Sequence, residues 1–162
     1  MRHVAIGMAC LLFLGCASSG KPFSPVSQAE KGKALVYVYH PADYSCRRPS
    51  DPNFLYINEK RIFMFPCDTY TVLALNPGSY RFSIQKNVFY LPAYEKRGAQ
   101  VFAFEPGNTY FVKYTEDYSF TDTATGRAID ITTSNLAKSE GPAPPPDIGQ
   151  TFFLDPGMTP VN

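Results

Sequence analysis

The sequence predicts an all-β chain, a single antiparallel β-sandwich or small barrel of seven to eight short strands. Three observations carry this. The 162 residues hold 11 Tyr, 13 Phe and 15 Pro but no Trp, a composition that favours strands joined by turns over helices. Short runs rich in Val, Ile, Tyr, Phe and Thr recur between Ala34 and Thr133. Pro, Gly, Asn and Asp punctuate those runs at close spacing, as turns of a sandwich would. One domain is the prior for this length, and about a hundred residues suffice to bury one core.

The chain opens on a processing segment. Arg2 gives a short positive region, and Val4 to Leu14 is apolar and uncharged. A run of about eleven apolar residues is too short to span a bilayer, which takes about twenty. Leu12-Phe13-Leu14-Gly15-Cys16 then places a small residue directly before a cysteine. That ending resembles the lipobox of bacterial lipoproteins, with Phe13 where the family usually has Leu. The resemblance implies cleavage of residues 1–15 and acylation of Cys16. A plain secretory signal is the alternative, and Cys10 is the poorer lipidation candidate because its apolar region is shorter. Residues 16–32 are polar and aperiodic, a flexible tether that would hold the domain roughly 20–25 Å from Cys16. Neither Ala17 nor Ser18 is the Asp that marks inner-membrane retention in Gram-negative lipoproteins. The expected location is therefore the periplasmic face of the outer membrane.

Residues 33–134 form the expected sandwich. Ala34 to His40 has apolar residues on both parities, so both of its faces should be covered, and Pro41 ends it by removing a ladder donor. Phe54 to Ile57 and Arg61 to Phe65 read as a hairpin around Asn58-Glu59-Lys60, where Asn tolerates the left-handed conformation. Thr69 to Leu75 reaches Asn76-Pro77-Gly78, a type II turn pair, and Tyr80 to Ile84 is expected to return as its hairpin partner. Pro92 argues against a long central strand in Asn87 to Gly98. Ala99 to Phe104, Pro106-Gly107 and Thr109 to Tyr114 repeat the same pattern. Glu116 to Thr125 reads as a polar loop and Ala128 to Thr133 as the last strand. Residues 135–162 are expected to be a loosely held Pro-rich tail, with Gly141 to Pro146 extended.

Charge and cysteines narrow the function classes. The 15 basic and 14 acidic residues become 14 and 14 once Arg2 leaves with the signal. A neutral mature chain lacks the basic footprint that nucleic acid requires, and a polybasic membrane patch as well. Of the four cysteines, Cys46 and Cys67 alone remain in the folded part. In an oxidising compartment a disulfide is expected, with two separate thiols as the alternative. Neither has a second Cys or His at metal-ligand spacing in sequence, so no metal or other cofactor is expected.

Val36-Tyr37-Val38-Tyr39-His40-Pro41, the Asn58 hairpin, Pro77-Gly78-Ser79-Tyr80 and Gly107-Asn108-Thr109-Tyr110 occur in that order. The order resembles a large family of bacterial lipoproteins whose shared domain is of unknown function. His40 stands where its members usually have Arg, and Glu59 where they have Gly. The resemblance implies an immunoglobulin-like or transthyretin-like sandwich on a lipid anchor, over Ala34 to Thr133, and carries over no catalytic residue.

Enzyme chemistry is not expected. His40 is the one histidine of the mature chain, at a strand end before a loop, and any Ser-His or Cys-His system would depend on it. Glu116, Asp117, Asp122 and Asp130 lack calcium-loop spacing. The expectation is an interaction domain that meets an envelope protein partner beside the membrane. The alternative is a glycan- or peptidoglycan-binding module in which Tyr90, Tyr94, Tyr114 and Tyr118 face the ligand.

Overall fold

The computed structural model describes residues 21–26, 30–42, 46, 53–88, 91–122 and 128–155, with the side chains of 86–97 and 118–133 excepted. Its described strands are β1 (Ala34–His40), β2 (Asn53–Ile57), β3 (Lys60–Met64), β4 (Thr69–Leu75), β5 (Gly78–Val88), β6 (Leu91–Phe104), β7 (Thr109–Asp122), β8 (Ala128–Glu140) and β9 (Phe152–Phe153). They form a five-stranded sheet, β8-β7-β1-β4-β9, and a four-stranded sheet, β3-β2-β5-β6. The two pack face to face as a sandwich and do not close into a barrel. Most pairings are antiparallel, but β1 runs parallel to β7 and β4 parallel to β9.

β1 is the centre of the molecule, and all seven of its residues are buried. Ala34, Val36 and Val38 face the core between the sheets, with Leu55, Phe82, Ile84 and Val112. Leu35, Tyr37 and Tyr39 belong to a second cluster with Tyr70, Phe111 and Ile148. A strand covered on both faces must be apolar on both parities, as β1 is.

The β2–β3 hairpin turns at Asn58 and Glu59, with φ of 50° and 63°. Two consecutive positive φ values match the twist of the flanking strands. The Asn58 side chain also accepts from the Arg81 amide at 2.9 Å, which pins the turn to β5. Glu59 bears the steric cost of a left-handed side chain, roughly 1–2 kcal/mol. Its ion pair with Arg81, 3.5 Å and half exposed, offsets little of that. Glu59→Gly should therefore raise stability by about 1 kcal/mol, read as a higher urea midpoint at unchanged slope.

The two Pro-Gly turns have a different role from the expected one. β4 lies in the five-stranded sheet and β5 in the four-stranded sheet, so Pro77-Gly78 carries the chain across the sandwich. Pro106-Gly107 carries it back, from β6 to β7. Turn residues specify a local reversal, whereas the burial of the flanking strands chooses the partner. β5 pairs instead with β2 and β6.

β6 begins at Leu91 despite Pro92. It is the edge of its sheet, and the β5–β6 register shifts between Asn87 and Val88, where Pro92 has no partner. An edge and a bulge are the two places where a strand tolerates Pro. The expected Glu116–Thr125 loop is mostly strand, because β7 continues to Asp122 and pairs with β8 throughout. Strands β5–β6 and β7–β8 thus run on as two hairpin arms past the end of β1.

The segment read as a loose tail packs on the sandwich. Residues 135–140 complete β8, and Pro146–Gln150 forms a 3₁₀ turn that buries Ile148 completely. β9 then pairs with β4, and Leu154 packs against the core. Part of the expected tether is ordered here too. Phe23 sits edge-on to Tyr70 at 5.1 Å, and its amide donates to the Thr151 carbonyl. The Val26 amide donates to the Tyr37 hydroxyl at 2.7 Å, and the Phe153 amide to the Lys21 carbonyl at 2.7 Å. Both ends of the described chain thus form an outer layer over the five-stranded sheet. That layer supplies the second cover of β1.

Candidate functional site

The richest chemistry lies where β1 stops and the two arms begin. Pro41 ends β1, while Pro66 separates β3 from β4. The register pairs His40 with Thr69, which places Cys67, two residues earlier, beside the imidazole. His40 Nε2 and Cys67 Sγ are 3.8 Å apart. Cys67 is bonded to Cys46, 21 positions earlier in the sequence, with Cα atoms 5.6 Å apart. The Thr69 hydroxyl donates to the Pro66 carbonyl at 2.7 Å and fixes the turn that carries Cys67.

The His40 ring is fully buried. It stands edge-on to Tyr114 at 4.9 Å and 5.8 Å from Phe65. Tyr114 in turn donates to Glu116 Oε1 at 2.5 Å, and the Asn53 side-chain amide donates to the same oxygen at 3.3 Å. Glu116 is 2% exposed. A carboxylate buried this deeply is tolerated only where donors converge on it. Disulfide, imidazole, phenol and carboxylate thus form one continuous array at one end of the sandwich.

A second polar group lies on the outer layer. The Tyr39 hydroxyl donates to Asp147 Oδ1 at 3.1 Å, and Lys113 Nζ lies 2.6 Å from Asp147 Oδ2. Burial, with the adjacent Asp147 charge and hydrogen bond, raises the Tyr39 phenol well above its ordinary value. Burial acts to raise the Asp147 carboxyl, but the hydrogen bond and charge of Lys113 outweigh it and hold the group below the usual carboxylate range. This pair fastens the 3₁₀ turn to the sheet.

The expected site residues fall out unevenly. Cys46 and Cys67 are joined as expected. Cys16 and Tyr90 lie outside the described residues. Tyr94 and Tyr118 lie on the backbones of β6 and β7, on the arms, and their side chains are outside the described set. Tyr114 corrects the ligand-facing reading, because it is completely buried and its hydroxyl is engaged with Glu116. Asn53 and Glu116 were missed. Tyr110, Val112, Tyr114 and Glu116 alternate on one parity, and that continuation of the strand was the signal. Asp117 is exposed while Glu116 is buried, which separates the acidic pair to opposite faces of β7.

A family model described as a protein of unknown function (DUF2846) matches residues 30–129. The chain belongs to the DUF2846 family. Among curated proteins and among solved structures, no match was found.

The DUF2846 span runs from the approach to β1 into the start of β8, and it contains every residue of the buried array. It also contains both Pro-Gly corners, where the following tyrosines have a structural role. The Tyr80 hydroxyl donates to the Asn76 carbonyl at 3.1 Å. The Tyr110 hydroxyl accepts from the Glu105 amide at 3.0 Å and the Asn108 side chain at 3.4 Å. Each phenol clips the corner that precedes it, as tyrosine corners do in other sandwiches. Tyr110→Phe should cost about 1 kcal/mol in denaturant unfolding, and Tyr80→Phe, with its exposed bond, less than that.

Proposed function

We propose that this DUF2846 chain is a cell-envelope lipoprotein, acylated at Cys16 after loss of residues 1–15, whose sandwich meets a protein partner at the membrane surface. The observation that carries the reading is the docking of Lys21–Val26 onto the sheet. Lys21 lies five positions after Cys16, a reach of at most about 18 Å when fully extended. The whole of residues 16–32 is therefore not free to act as spacer, and an acylated Cys16 would keep the outer layer close to the lipid. With neither Ala17 nor Ser18 an Asp, the periplasmic face of the outer membrane is the assigned location.

A protein partner is favoured over a glycan because Tyr37, Tyr39, Tyr70, Tyr110 and Tyr114 are buried, and buried phenols offer no stacking platform. The role assigned is binding and not catalysis: His40, the one histidine of the mature chain, is enclosed between Tyr114, Phe65 and the disulfide.

Cys16→Ala should move the chain from the membrane fraction to a soluble or unprocessed form, and unchanged partition would defeat the anchor. Crosslinking in the native envelope, followed by detergent pull-down, should recover a protein partner. Recovery of muropeptide or glycan alone would reverse the ranking.

A further inference from the structure

The geometry points to a soft-metal site that the chain opens when its disulfide is reduced, with His40, Cys46 and Cys67 as ligands to a d¹⁰ cation of the Zn²⁺ class. Sequence spacing gave no hint of it, because the ligands come from the end of β1, the loop after it and the turn before β4.

A His40 ring nitrogen and the two sulfurs all lie within 4.8 Å of one another. In a tetrahedral site with Zn–S of about 2.3 Å and Zn–N of about 2.0–2.1 Å, ligand atoms stand about 3.5–3.8 Å apart. The observed 3.8 Å between Nε2 and Cys67 Sγ is already that separation. The two sulfurs must part, and Cys46 Sγ must settle at the same separation from the ring nitrogen. Rotation of the Cys46 side chain supplies a movement of about 1.5 Å, the scale this geometry needs. The nitrogen is held in place meanwhile, since the ring is locked by Tyr114 and Phe65.

Exposure fits the same assignment. His40 is fully buried whereas Cys46 and Cys67 are partly exposed. A reductant and a cation would meet the sulfurs first and the imidazole last. Thiolate and imidazole donors together select Zn²⁺-like ions over hard cations. Three protein ligands leave the fourth position to water or an incoming donor, an arrangement suited to exchange.

The chemistry balances with a dithiol as reductant. Two electrons and two protons pass to the Cys46–Cys67 bond, which breaks to two thiols, while the dithiol closes to its own disulfide. Metal binding then releases the two thiol protons and leaves a neutral imidazole as the third donor. Exchange with an incoming disulfide, which takes the two electrons and leaves as a dithiol, closes the Cys46–Cys67 bond again and expels the ion, because a disulfide sulfur offers no thiolate.

The test uses the full chain carrying Cys10→Ser and Cys16→Ser, so that Cys46 and Cys67 are its only thiols, reduced with a phosphine that does not itself chelate. Titration with Zn²⁺ alone should give one ion per chain, and Co²⁺ should show thiolate charge-transfer absorption. The oxidised chain should bind neither. His40→Ala should weaken Zn²⁺ binding about 100-fold. Nitrogen NMR of the unsubstituted His40 ring, which does not depend on a variant folding, should show Nε2 shifting on Zn²⁺ addition to the reduced chain. Equal binding by oxidised and reduced chains, unchanged affinity in His40→Ala, or an unmoved Nε2 resonance would each overturn the site.

Discussion

Ile148→Ala should lower stability by about 2–5 kcal/mol, the range for truncating a fully enclosed aliphatic side chain. Ile148 has no exposed surface and points from the 3₁₀ turn into the cluster of Leu35, Tyr37, Tyr39, Tyr70 and Phe111. For a domain of this size the loss corresponds to a fall in melting temperature of roughly 10 °C. Truncation after Gly141 should do more damage still. It removes Ile148, the β9 ladder and the Asp147 clamp on Lys113 together, and it strips the carbonyl that receives the Phe23 amide. A loss below about 1 kcal/mol for Ile148→Ala would mean that this layer rests on the sheet without being held by it.

Asp147 and Tyr39 give the same layer a pH signature. Asp147 is depressed in the folded chain, so its contribution is present above the unfolded carboxylate pKa and lost as pH falls through the folded value. Tyr39 is raised, so its contribution is complete below about pH 10 and is lost as pH rises toward the folded value. Asp147→Asn should flatten the acid limb of the stability profile relative to the parent chain.

Cys46→Ser with Cys67→Ser should cost about 3 kcal/mol, from the loop entropy that the closed bridge removes from the unfolded chain. The bridge joins positions 21 apart in sequence and ties the loop after β1 to the turn before β4. The expected reading is a urea midpoint lowered by about 1–2 M, with a smaller slope change than midpoint change. An unchanged midpoint in both the double variant and the dithiol-reduced parent would show that β2–β3 closes this loop unaided.

Most of the architecture was legible because burial leaves a pattern on strands. Ala34–His40 announced a doubly covered strand through its two apolar parities, and Asn58 announced its hairpin. Three features escaped because they depend on distant partners. Pro77-Gly78 and Pro106-Gly107 encode a reversal but not the sheet that receives the next strand. Pro92 argues against a central strand, but it does not reveal that β6 runs through it as an edge. Pro142 to Pro146 reads as unstructured composition, yet Ile148 behind it finds an apolar seat built by β1, β4 and β7. The buried array was half visible. Cys46 with Cys67 followed from the arithmetic of thiols, while Asn53 and Glu116 needed the extension of β7 to bring them together. The closeness of His40 to Cys67 follows only from the β1–β4 register.

The hydrogen bond from the Phe153 amide to the Lys21 carbonyl also bears on chain order. Because the first and last described strand-like segments are neighbours, the described residues run as a nearly closed circuit. Joining residue 155 to residue 21 through a short linker and reopening the backbone between Asn58 and Glu59 would preserve every strand pairing. The topology is thus indifferent to where synthesis begins.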